Sequence, residues 1–149
     1  MRRRAVLAAS GSLLSVAVAG CFETRLNERG SLEVIVDGEE VDLTARRFQS
    51  ENADSANDSA AFHLHEGEEE WFMEGTERVT FAEAIDLLPH FAFEERDGGR
   101  VVTVDGTTYD DTDDGTTLEF LANGESADPT AYELHDGDEL RLEIETDAE

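Results

Sequence analysis

The chain predicts an α+β fold: a mostly antiparallel sheet of hairpins packed on one main helix. Three observations carry that expectation. Asp-Gly or Asn-Gly pairs recur at 37–38, 97–98, 105–106, 114–115, 123–124 and 136–137, where positive φ angles suit tight hairpin turns. Apolar residues between several of these pairs alternate with polar ones, and only one stretch has strong helical periodicity.

Taken in order, the chain begins with Met1-Arg2-Arg3-Arg4, an uncharged run of apolar and small residues from Ala5 to Gly20, and then Cys21. A membrane-spanning helix needs roughly 20 predominantly apolar residues, so this run reads as a signal segment and is excluded from the fold. Arg3-Arg4-Ala5-Val6-Leu7 resembles the twin-arginine export signal, whose cargo crosses the membrane already folded. Val18-Ala19-Gly20-Cys21 resembles the lipobox of prokaryotic lipoproteins. The resemblance implies cleavage before Cys21, lipid on its sulfur and anchorage at the outer face of the cytoplasmic membrane, each buried CH₂ contributing about 0.8 kcal/mol. The alternative is an ordinary cleaved signal peptide with an incidental cysteine. Cys21 is the sole cysteine, which excludes an intrachain disulfide and a thiolate metal cluster. Phe22 to Gly30 reads as a polar tether, 31–146 as a single domain and 147–149 as a tail.

Leu32, Val34 and Val36 share one face of the first expected strand. From Thr44 to Ala60 no apolar period appears, and the segment is expected to be a long mobile surface loop. Asn57-Asp58-Ser59 within it is a glycosylation sequon, short enough to occur by chance. Ala61 to Glu66 and Glu70 to Glu74 are expected to form a hairpin around Gly67. The helix follows: Thr80 and Glu83 form a capping box, Phe81, Ala84, Ile85 and Leu88 make one apolar face, and Pro89 ends the run. Arg100 to Val104 is a further strand, and Leu118, Phe120 and Ala122 share a face of another. In the last strand Leu140, Leu142 and Ile144 alternate with Glu139, Arg141, Glu143 and Glu145, as a half-buried strand requires. Segments 34–44 and 102–112 match at Val, Val, Asp, Gly, Asp and Thr, from either a duplicated hairpin or a shared strand-turn-strand grammar.

Acidic residues number 37 against 11 basic ones, all of them arginine, for a formal charge of -26. Such a surface repels phosphate backbones, so nucleic acid is not an expected partner. Carboxylates spread over the whole chain repel one another in dilute buffer, but at molar salt the Debye length falls to about 3 Å and the repulsion is screened. In this respect the chain resembles exported proteins of haloarchaea; an acidic secreted protein of an ordinary organism is the alternative.

Asn123-Gly124-Glu125, Tyr132, Leu134 and Asp136-Gly137-Asp138-Glu139-Leu140 resemble the tail of the ubiquitin-like sulfur-carrier proteins of thiamine and molybdopterin synthesis. The order of hairpin, helix, strands and final amphipathic strand is likewise that of a β-grasp domain. The resemblance implies a β-grasp-like fold, with 136–139 as a turn and Leu140 to Ile144 as the central strand. The carriers react through a terminal Gly-Gly, whereas this chain ends Thr146-Asp147-Ala148-Glu149, so their chemistry is not implied.

His63 and His65 lie two apart on an expected strand and project from the same face, with Glu66, Glu68, Glu69 and Glu70 close behind. Two imidazoles and a carboxylate can hold zinc or copper. Alternatively Phe62 and Leu64 fill the core while both histidines face water. Asp110, Asp111, Asp113 and Asp114 form an acidic turn that lacks the ligand spacing of a helix-loop-helix calcium site, and hydrated sodium or potassium suits it better. Trp71, Phe72 and Phe91 to Phe93 suit either a contact surface or the core. The chain has no Gly-x-Ser-x-Gly elbow, phosphate-binding glycine loop, His-Glu-x-x-His motif or catalytic cysteine pattern. The expectation is therefore a non-catalytic extracytoplasmic lipoprotein without a cofactor, binding a partner protein or small ligand; the rival is a surface metal-binding protein using His63 and His65.

Overall fold

The computed structural model describes residues 25–49, 60–65 and 69–147. The expected signal and lipidation residues Arg3, Arg4, Val18, Ala19, Gly20 and Cys21, and the sequon residue Asn57, lie outside them. The architecture is α+β, mostly strand, with one α-helix among the described residues.

Strands β1 (Glu28–Val36), β2 (Glu39–Glu40), β3 (His63–Leu64), β4 (Glu70–Met73), β8 (Thr117–Ala122), β9 (Glu125–Ser126) and β10 (Glu139–Glu145) form the main sheet in the order β3-β4-β1-β10-β8-β9, with β2 paired to the end of β1. β5 (Phe91–Arg96), β6 (Gly99–Val104) and β7 (Thr107–Asp110) form a second sheet, a three-stranded meander. Pairing is antiparallel except between β1 and β10, where Leu32 lies opposite Leu140 and Val34 opposite Leu142.

The alternation in sequence becomes the burial pattern. Leu32 and Val34 of β1, Phe120 and Ala122 of β8, and Leu140, Leu142 and Ile144 of β10 all turn inward. They share one core with Phe81, Ala84 and Ile85 of the helix α1 (Phe81–Leu87) and with Phe91, Val102 and Val104 of the second sheet. Phe120 is a junction of that core, with the Phe81 ring edge-on at 5.3 Å and Phe93 at 5.9 Å. Burying a large apolar side chain contributes about 1.5–3 kcal/mol, so this shared core binds the two sheets and the helix into one unit.

Local signals explain where the elements begin and end. Thr80 accepts from Glu83 N–H while the Glu83 carboxylate accepts from Thr80 N–H, so the capping box is complete. Four of the six turn pairs, 37–38, 97–98, 105–106 and 123–124, have positive φ at both residues and close the hairpins β1-β2, β5-β6, β6-β7 and β8-β9. At 114–115 and 136–137 only the glycine has positive φ, and neither pair closes a two-residue hairpin. The two matching segments share more than a turn: Thr44 and Thr112 each donate N–H and hydroxyl to the aspartate two residues earlier, Asp42 and Asp110.

Three boundaries differ from expectation. Glu28, Arg29 and Gly30 belong to β1 and not to a tether, since they pair with Met73, Phe72 and Trp71. The expected mobile loop opens with a 3₁₀ turn, Arg46–Phe48, whose Phe48 is fully buried and meets the Phe91 ring at 5.2 Å. β5 is a strand that the sequence pattern did not announce, and it places Phe91 in the core. Trp71 is also fully buried, so Trp71 and Phe91 are core, Phe93 packs half-buried against it, and Phe72 is half-buried on the other face of its strand.

The turn before β10 is fixed by a buried carboxylate. Asp138 accepts from His135 N–H at 2.8 Å, Tyr132 O–H at 3.0 Å and Asn123 Nδ2 at 2.9 Å. Its carbonyl accepts from Ser31 N–H and from Trp71 Nε1, tying β10 to β1 and β4. Burial, followed by the Asp138 carboxylate, raises the Tyr132 pKa above its ordinary value of 10.0.

Candidate metal centre

The main sheet has an inner and an outer face, and strand parity decides which side chains meet on each. Trp71 and Met73 of β4 and Leu64 of β3 point inward and are fully buried. His63, opposite Phe72 in the β3-β4 register, points to the outer face, and Phe72 and Glu74 follow the same parity. His65, two residues beyond His63, returns to that face, and its ring lies edge-on to Phe72 at 4.5 Å.

These placements bring three donor groups together. The Nε2 atoms of His63 and His65 are 3.0 Å apart, and His63 Nε2 lies 3.4 Å from Glu74 Oε2. One ligand atom from each of the three residues falls within 4.8 Å of the other two. A tetrahedral zinc ion with Zn–N bonds of about 2.0–2.1 Å holds its ligand atoms roughly 3.3 Å apart, close to the separations found here. With no ion, the same approach lets one protonated ring nitrogen donate to the other.

The sides of the site differ in exposure. The His63 side chain is only 9% exposed, wedged between the His65 ring and the Phe72 face, which stacks on it at an interplanar angle of 19°. Glu74 is 44% exposed and anchored through its backbone, where its N–H donates to Ala60 C=O at 2.8 Å. The expectation that both histidines face water is therefore corrected: they leave the core to Phe62 and Leu64, but pack against each other and Phe72. The carboxylate partner also differs. Glu69 and Glu70 are exposed and not in the trio, Glu66 and Glu68 lie outside the described residues, and Glu74 comes from the far side of the hairpin. Hairpin register was its only signal: with His63 opposite Phe72, the residue two beyond Phe72 lies diagonally across from His63.

The other candidates do not converge among the described residues. His90 sits in the turn before β5 with φ of 63°, and His135 beside Tyr132; neither joins the trio. The carboxylates of the acidic turn hold the chain in shape: Asp110 accepts from Thr112, and Asp111 accepts from Arg100 N–H at 2.8 Å. The Thr112 hydroxyl holds the Asp110 carboxyl below the usual range, and Thr44 and Thr130 do the same for Asp42 and Asp128. No helix among the described residues is long and apolar enough to cross a membrane. Comparison of the chain with protein-family models, curated proteins and solved structures found no match.

Proposed function

We propose that the protein is a non-catalytic, extracytoplasmic metal-binding lipoprotein, anchored through Cys21 and holding a transition-metal ion between His63, His65 and Glu74. The observation that carries this reading is the 3.0 Å approach of the two Nε2 atoms with a carboxylate oxygen 3.4 Å away. Two neutral imidazoles and one carboxylate suit zinc or copper better than calcium or magnesium, which prefer all-oxygen sets. Of the two expectations from sequence, partner binding and metal binding, this geometry favours the second.

A non-catalytic role is in keeping with the surroundings of the trio. Concavities of about 320–500 Å³ on the described surface are lined by other residues, so none of them would hold a substrate against the ion. An ion bound there is cargo or a clamp on the β3-β4 hairpin. The fold reading extends to a β-grasp: in support, β10 runs in the middle of the main sheet between β1 and β8, and the helix falls between the opening strands and the rest. Export and lipidation rest on the paired arginines and on Val18 to Cys21, and adaptation to high salt rests on the charge of -26.

Elemental analysis of protein purified in high salt tests the reading. Zinc or copper is expected at one equivalent per chain and is expected to disappear from the His63→Ala, His65→Ala double variant. Equal metal in the native protein and a folded double variant would contradict it.

A further inference from the structure

Resting on that reading, we infer that the His63, His65 and Glu74 site is held at the membrane surface, where it meets the lipid headgroups of the outer leaflet. Where the chain enters the fold gives the reason. Leu26 N–H donates to Gly75 C=O at 2.8 Å, which pins the chain beside the residue that follows Glu74. Two residues later β1 begins, with Glu28 opposite Met73 and Arg29 opposite Phe72, the residue that in turn faces His63. The trio therefore sits at the entry end of the first strand.

The opposite end is remote. β1 has nine residues and, at about 3.3 Å each, extends roughly 30 Å away from the entry point. Its far end carries the Asp37-Gly38 turn, where Asp37 binds the N–H and hydroxyl of Thr146. Leu26 is only five residues beyond Cys21, and five residues at full stretch span at most about 18 Å. A lipid on Cys21 thus keeps the entry end near the bilayer whatever course residues 22–25 take, and the metal site comes with it.

At this end arginines are matched by acids, Arg29 lying 4.0 Å from Glu70, so the placement rests on the length of the tether and not on charge. Arg25 and Arg29 are exposed there, and Arg78 packs against Glu28, forming paired hydrogen bonds with its carboxylate.

The test uses the full lipidated chain in vesicles whose lipids carry a nitroxide on the headgroup, with Cu²⁺ as the probe ion. Bound copper is expected to shorten the relaxation time of the headgroup nitroxides. The effect is expected to be lost when a long Gly/Ser spacer is inserted between Phe22 and Glu23, with copper stoichiometry unchanged. Stoichiometric copper on lipidated protein with no effect on the headgroup spins would overturn the inference while leaving the metal reading intact. Failure to bind copper, or an unmodified Cys21 by mass spectrometry, would overturn the inference along with the metal or the anchoring reading respectively.

Discussion

Replacing Gly30 by alanine probes the joint on which the main sheet turns. A Cβ at Gly30 would lie 2.2 Å from the Asp138 carbonyl oxygen and 2.7 Å from Cε2 and Cζ2 of Trp71. Carbon atoms pack at about 3.5–4.0 Å, so each of these overlaps is near or above an ångström and something must move. If Trp71 moves, it loses its Nε1 hydrogen bond to Asp138 and its stacking on Phe62 at 5.6 Å. If β10 moves, the bond from Ser31 N–H to Asp138 C=O lengthens and the parallel pairing opens at its start. Overpacking costs about 1–3 kcal/mol and a lost hydrogen bond about 1 kcal/mol, giving an expected loss of about 2–4 kcal/mol. Urea unfolding in molar salt reads it as a lowered midpoint. Gly38→Ala is the control, since no atom lies within 4 Å of its added Cβ and only its φ of +81° resists, at about 1 kcal/mol. A Gly30→Ala loss no larger than the control's would refute the reasoning.

Further predictions concern charge and polar packing. Asp138→Ala is expected to cost about 2–4 kcal/mol, because Tyr132 O–H and two other donors lose their acceptor; an unchanged unfolding midpoint would remove Asp138 as the keystone of the turn. The lowered carboxyl pKa values of Asp42, Asp110 and Asp128 imply stability that is present above the unfolded carboxyl range and lost as pH falls through the folded values. A Thr44→Val, Thr112→Val, Thr130→Val variant should thus be less stable than the native chain at about pH 6 and approach it in strong acid; a gap independent of pH would count against this. For Tyr132 the sign is opposite: its raised pKa means stability held below pH 10.0 and lost above it, visible as falling stability in alkali that Tyr132→Phe abolishes. The acidity of the chain predicts loss of circular-dichroism signal as salt falls into the tenth-molar range, and an unchanged spectrum would exclude salt dependence.

Much of the fold could be read in sequence because it is written in local grammar. Thr80 and Glu83 are three residues apart, so a capping box needs nothing from the rest of the chain. Asp-Gly and Asn-Gly pairs specify a turn, though only flanking strands of matched length convert it to a hairpin, as 136–137 shows. β5 escaped notice because its inward residues, Phe91 and Phe93, are followed by Glu94-Glu95-Arg96, which runs out into solvent. The parallel neighbour of β10 was not legible either, since both strands alternate alike and pairing depends on the core they share. Phe48, the sole aromatic in a polar stretch, was a signal that the loop is partly packed.

At the site, the spacing of His63 and His65 indicated two imidazoles on one face. Glu74 was hidden by numbers: with 37 carboxylates, nearness in sequence favours Glu66 to Glu70 over a residue across the hairpin. The register is set by Leu64 and Trp71 both packing inward, a tertiary constraint that fixes Glu74 diagonally opposite His63.

Anomalous diffraction at the metal edge, from crystals of zinc-loaded full-length protein, tests the metal site most directly. The account predicts one strong peak within about 2.0–2.2 Å of His63 Nε2, His65 Nε2 and a Glu74 carboxylate oxygen. A peak elsewhere, or the two imidazoles bonded to each other with no peak between them, would contradict it.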